Sequence, residues 1–194
     1  MDQQPPRAGL TGHDALVMQQ VSSFMANDFQ ICDTAGVEVG RFAGTDSAGA
    51  RFFKGPRQFA LYDNDARVLL TLDDVPNFGF DTFELSAPDG RPLATIRSRF
   101  SLFRTRVSVE VSDGWELELS GNLMDYNFEI VAGGRPTATV SRQWAGMGKA
   151  FLGHSQYLLS FDPTTTAQGR LVVIGAVLAL DLLRMKRQRN NAAN

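Results

Sequence analysis

One cysteine, Cys32, and two histidines, His13 and His154, are all that 194 residues offer to thiol or imidazole chemistry. A lone cysteine excludes an internal disulfide, and no Asn-x-Ser/Thr acceptor is present, so the chain reads as one for a reducing, cytoplasmic setting. Two histidines cannot build a His-rich metal centre or a compact general-base cluster. Neither sign of charge dominates: 19 basic and 21 acidic residues leave a net charge of −2, which excludes broad non-specific nucleic-acid binding. No apolar run approaches the roughly 20 residues of a spanning helix. The opening MDQQPPRAGLTGHD lacks the charged-then-apolar order of a signal peptide, and residues 1–14 are expected to form a disordered tail.

What the sequence does have is turn chemistry between aromatic-led strands. Eighteen Gly and 14 Phe accompany a unit that keeps returning: a Phe, a run of alternating polarity, an Asp/Gly turn and a second run. It occurs at Phe29 to Val39, Phe59 to Leu72, Phe83 to Ile96, Val107 to Leu119 and Phe128 to Val140. The spacing drifts, so these are hairpins and not a solenoid repeat. With Ala15 to Val21 and Tyr157 to Phe161 the count reaches about a dozen short strands, whose exposed edges are best resolved by closure into an antiparallel barrel.

Near the C-terminus Leu171 to Leu183 reads LVVIGAVLALDLL, with Asp181 its only charge. As a helix it is about 20 Å long, too short for a hydrocarbon core of about 30 Å. A helix apolar on every side belongs in a protein interior, and a barrel of about twelve strands is wider than its own side chains can fill. The fold expected is therefore all-β with one helix, a closed antiparallel barrel around a central hydrophobic C-terminal helix. The domain spans residues 15–187, with the helix near 168–186 and a polar, basic tail over 188–194. Gly175 and Ala176 are expected to let barrel side chains approach the helix closely.

Catalytic patterns fail on inspection. Gly153-His-Ser-Gln-Tyr lacks the second glycine of a nucleophile elbow and precedes a strand. Gly146-Met-Gly-Lys149 resembles a phosphate loop, but Gln143 and Ala150 stand where Gly and Ser/Thr are needed. Asp73-Asp74 reads as a solvated or capping pair, and Trp144 as a packing residue. No catalytic residue, metal ligand or cofactor is expected, and the chain is read as a non-enzyme.

Two basic clusters remain. In Arg97-Ser-Arg-Phe-Ser-Leu-Phe-Arg-Thr-Arg106, period-two geometry groups Arg97 with Arg99 and Arg104 with Arg106; a hairpin would bring all four beside Phe100, Leu102 and Phe103. The alternative for these arginines is the solvent side of two strands. After the apolar helix come Arg184, Lys186, Arg187 and Arg189, with no acid among residues 184–194. They either complement the helix dipole or meet anionic lipid.

Phe29-Gln-Ile-Cys-Asp-Thr-Ala-Gly, Leu119-Ser-Gly-Asn-Leu-Met-Asp-Tyr-Asn-Phe-Glu-Ile, Val140-Ser-Arg-Gln-Trp and the helix Ile174 to Asp181 occur in an order that resembles the phospholipid scramblase and LURP-one-related group, which shares the tubby-like fold. The resemblance runs from about Leu16 to Arg184 and implies a twelve-stranded barrel around a helix and association with phospholipid or phosphoinositide membranes. Scramblases place an acidic, calcium-linked segment before the helix. Here Thr164 and Thr166 replace acids and only Asp162 remains, too few carboxylates for Ca²⁺. The function expected is non-enzymatic binding of anionic phospholipid through Arg97, Arg99, Arg104, Arg106, Arg184, Lys186 and Arg187, with scrambling a further step, at the inner face of the plasma membrane. The alternative is a soluble regulatory or structural module with a protein partner.

Overall fold

Turn chemistry fixes five hairpins in the computed structural model, which describes residues 9–23, 26–45, 57–76, 81–100, 105–123, 125–142 and 156–192. Strands β2 (Ala26–Cys32) and β3 (Glu38–Gly44) are joined by a turn in which Asp33 Oδ1 accepts from the Ala35 and Val37 amides while Gly36 takes φ +83°. A side chain that hydrogen-bonds its own turn fixes the hairpin locally. The same device joins β4 (Arg57–Asp63) to β5 (Val68–Val75), where Asp63 accepts from Asp65 and Arg67. Asp89 accepts from Arg91 between β6 (Asp81–Ser86) and β7 (Pro92–Phe100). Gly114, at φ +85°, turns β8 (Thr105–Val111) into β9 (Glu116–Asn122), and Gly133-Gly134 turn β10 (Asn127–Ala132) into β11 (Arg135–Ser141).

Each strand pairs antiparallel with its neighbours in sequence, and β1 (Ala15–Ser23) closes the barrel by pairing with β12 (Gln156–Phe161). Register shifts interrupt four of the hairpin ladders, at Ile31/Cys32, Leu61/Tyr62, Leu85/Ser86 and Ile130/Val131. Bulges increase local twist, which a sheet needs in order to curl closed. The motif phenylalanines Phe29, Phe59, Phe83 and Phe128 all point inward and are buried.

Helix α1 (Ala167–Ala192) fills the interior. Thr166 caps it, its Oγ1 accepting from the Gly169 amide at 3.1 Å. Every residue from Val172 to Arg184 is buried, so the apolar run is surrounded by barrel wall on all sides. Gly175 is required: a Cβ there would stand 2.7 Å and 2.8 Å from the two methyl carbons of Leu85 on β6. Among the described residues no helix is long and apolar enough to cross a membrane.

The two ends of the barrel differ. One end, the turn end, carries the five short turns and the start of α1; the other, the open end, carries the ends of strands flanking residues 24–25, 46–56, 77–80, 101–104 and 143–155 together with the C-terminal half of α1. The N-terminal segment departs from expectation at the turn end. Leu10–Gly12 form a 3-10 turn, and Leu10 is buried against Gly40, where a Cβ would lie 2.4 Å from its Cδ1. Arg170, buried in the first turn of α1, donates to the carbonyls of Thr11, His13 and Thr165 and to Asp14 Oδ1, with its guanidinium over the Phe161 ring. The ordered domain therefore begins before residue 15, and the helix runs on past residue 186.

Candidate functional site at the open end

Asp181 is the one acid in the buried part of α1, and burial alone works against its charge. Three groups answer that cost. Arg184, three residues on and thus on the same helix face, donates from Nη1 to Asp181 Oδ1 at 3.1 Å. Tyr157 on β12 donates its hydroxyl to Asp181 Oδ2. Tyr126, in the connection between β9 and β10, stacks on Tyr157 with ring centroids 4.6 Å apart and lies 3.5 Å beneath the Arg184 guanidinium. Desolvation raises the Asp181 carboxyl to about 6 although Arg184 and the tyrosine hydroxyls favour the carboxylate. Burial and the adjacent carboxylate hold both tyrosine hydroxyls above their ordinary range. The cluster is thus a buried ion pair that ties the helix to the wall and to the β9–β10 connection.

One turn further, α1 leaves the barrel. Gln20 on β1 donates to the Met185 sulfur at 3.0 Å. Lys186 donates to Asp81 at 2.6 Å and to Asp74 at 3.4 Å. Burial opposes its charge, but the two carboxylates outweigh that and hold its pKa above the ordinary lysine value. Arg187 is half-buried beside Arg184, and desolvation lowers its pKa.

The expected basic residues are only partly brought together. Strands β7 and β8 form the expected hairpin, with Arg97 opposite Ser108 and Arg99 opposite Arg106. Arg97 is half-exposed and pairs with Glu110, its Nη1 donating to both carboxylate oxygens at 2.7 and 2.8 Å. Arg104 lies outside the described residues, as do Leu102, Phe103 and Trp144. Arg184 departs from the expected surface role: it is an interior residue, drawn inward by Asp181 and the face of Tyr126. Lys186 and Arg187 do stand at the helix exit.

Sequence reasoning gave no role to Tyr126, Tyr157 or Asp81, and read Asp74 as half of a solvated or capping pair. The only signal for the tyrosines was an acid inside an otherwise apolar helix, which demands a donor from elsewhere in the chain without saying which. Asp74 holds Lys186, and Asp73 accepts from Gln58 at 2.9 Å. Asp162, the residue left of the scramblase-type acidic segment, accepts from the amide and hydroxyl of Thr164, which lower its pKa. It serves the turn into α1. Among the described residues no group of three or more His, Cys, Asp or Glu is placed to hold a metal ion.

Against this geometry stand three comparisons. The family model for LURP-one-related proteins matches residues 13–181. An X-ray structure of a protein from Arabidopsis thaliana superposes with a TM-score of 0.55 at 12% identity, covering 87% of this chain and 91% of that one. At that identity the likeness speaks for the fold. No curated protein matches the sequence.

Proposed function

The chain belongs to the LURP-one-related family, and from that premise we propose that it is a non-enzymatic, tubby-like barrel that associates with anionic phospholipid through its open end, at the inner face of the plasma membrane. One observation carries the reading. The antiparallel order brings the basic β7–β8 hairpin and the basic exit of α1 to the same end, because Lys186 reaches the open-end residues Asp74 and Asp81 and β7 runs from the turn end toward Phe100. Two clusters far apart in sequence thus share one side of the molecule.

Composition supports the same end. Connections 24–25, 45–56, 76–80, 101–104, 123–126 and 142–155 contain Arg51, Lys54, Arg104, Arg142 and Lys149 against Asp46 and Asp125. They also contain seven of the 14 Phe and Trp144. The short turns at the other end contain Asp33, Asp65, Asp89, Asp113 and Asp162 against Arg67 and Arg91. Basic residues interleaved with aromatics suit an anionic interface, where arginine forks bind phosphate and aromatic rings sit at headgroup level.

A second reading, a soluble regulatory or structural module with a protein partner, is favoured by one fact: Arg97 and Lys186 already have carboxylate partners. Co-sedimentation separates the two. The lipid reading expects recovery with phosphatidylserine-containing vesicles, little with phosphatidylcholine alone, and a decline with salt. Glutamate at positions 97, 99, 104 and 106 together should abolish recovery. Equal recovery with both vesicle types rejects the electrostatic mechanism, and none with either leaves the protein-partner reading. If vesicles bind, a fluorescent-lipid quenching assay decides whether scrambling accompanies binding.

A further inference from the structure

Arg184 is a cation stored inside the barrel. Its side chain is 6% exposed, its Nε and Nη2 atoms lack hydrogen-bond partners, and its ties are the ion pair through Nη1 to Asp181 and the stacking on Tyr126. Two of its nitrogens are therefore buried without a hydrogen bond, and the Tyr126 face offsets only part of that cost. It also stands at the last buried position of α1: Met185 is half-buried and Gln188 is exposed. A long, flexible side chain at such a position has the reach to carry its charged head toward solvent. Its counter-charge there is the carboxylate of Asp181, and the Tyr126 ring is its second contact.

We propose that Asp181 is a proton-operated latch: the carboxylate holds Arg184 in the barrel, and its protonation by solvent releases the guanidinium to the basic open end. The step needs one proton and no other reactant, and Arg184 stays charged throughout. Once Asp181 is neutral, a buried guanidinium lacks its counter-charge, and burying an unpaired charge is far more costly than exposing it. Desolvation brings the Asp181 carboxyl to about 6, so a modest acidification operates the latch. The other ionisable groups nearby do not compete for this role. Tyr157 from β12 and Tyr126 from the β9–β10 connection are held protonated. Arg142, at the end of β11, is a fixed cation 5.9 Å from the Tyr126 ring centroid. Asp125 is exposed in the same connection. On α1 itself, Arg187 is a fixed cation, and Lys186 is engaged by Asp74 of β5 and Asp81 of β6. Arg97 and Glu110 of β7 and β8 pair on the exposed side of the wall. His13 belongs to the turn end.

Release adds a cation to the surface assigned above to anionic lipid, and this consequence rests on that reading; the latch itself does not. The full chain, labelled with ¹⁵N-arginine, is followed by NMR from about pH 7.5 to about pH 5, reading solvent exchange at the Arg184 Nε–H relative to free arginine. Protection should fall by about tenfold or more with a midpoint near that of Asp181. In Asp181→Asn, which carries no charge to hold the guanidinium, it should be low at both pH values. Constant protection in the wild type across the range overturns the latch, whether or not the variant folds. Vesicles of phosphatidylserine and phosphatidylcholine supply the second arm: wild-type binding should strengthen as pH falls through the same midpoint, while Asp181→Asn should bind alike at both ends. Loss of protection without any vesicle binding supports the latch and rejects the lipid reading.

Discussion

Gly175 tests the barrel-plug architecture at one atom. Replacing it with Ala ought to strengthen a helix by about 1 kcal/mol, the propensity difference between the two residues. The new methyl would, however, lie 2.7 Å and 2.8 Å from the Leu85 Cδ1 and Cδ2 atoms and 3.4 Å from its Cγ. Carbon atoms in contact prefer about 3.5–4.0 Å, so both Leu85 methyls must retreat by roughly 1 Å. Leu85 is 1% exposed and its surroundings are close-packed, so the retreat transmits strain at a cost of about 1–3 kcal/mol. The clash outweighs the propensity gain, and Gly175→Ala should destabilise the protein by about 1 kcal/mol. Leu85→Ala alone should cost about 2–5 kcal/mol as a cavity substitution. In that background the obstruction is gone, and Gly175→Ala should become stabilising by up to about 1 kcal/mol. Urea unfolding, followed by fluorescence of Trp115, which packs against the core, measures all four corners of the cycle. A cost for Gly175→Ala that is the same in both backgrounds, or a gain in the wild type, refutes the packing of α1 against β6 described above.

Three further outcomes follow from other contacts. Asp181 has a folded-state pKa raised from 3.8 to about 6; its contribution to stability is full below the unfolded value and is lost as pH rises through the folded one, a change of roughly 3 kcal/mol at about 1.4 kcal/mol per unit. Urea midpoints between about pH 4 and pH 7.5 should show this decline in the wild type and not in Asp181→Asn; parallel curves contradict it. Arg170→Ala removes a buried guanidinium that holds the carbonyls of Thr11, His13 and Thr165, and should cost about 2–4 kcal/mol in thermal unfolding. Lysine, which lacks the planar fork, should recover only a minor part, and full recovery would show that charge alone suffices. Deleting residues 170–194 strips the interior of its apolar filling and should yield insoluble or unfolded protein. A soluble product with a cooperative melt would make the helix an appendage.

The strands were legible because their information is local. Asp33, Asp63 and Asp89 each bond amides two residues on, and the alternation around Phe29, Phe59, Phe83 and Phe128 needs no knowledge of the rest of the chain. The helix was legible because an apolar run too short for a bilayer has only an interior to occupy. Leu10 was not, since a single apolar residue among polar ones has no period. Arg184 was misplaced for a more instructive reason. As part of a C-terminal basic run it satisfied the helix dipole, and a sufficient local explanation hid the long-range one. Asp181 and Arg170 are the opposite case. An acid within an apolar helix and a cation in a helix's first turn both contradict local preference, and each proves to be tied to a distant element: Asp181 to Tyr157, and Arg170 to the segment Thr11 to Asp14. A residue that violates the rules of its own element announces a partner elsewhere. Such conflicts are tolerated where a connection must be made, and in α1 they mark two of the places at which the plug is fastened to the barrel, one toward each end.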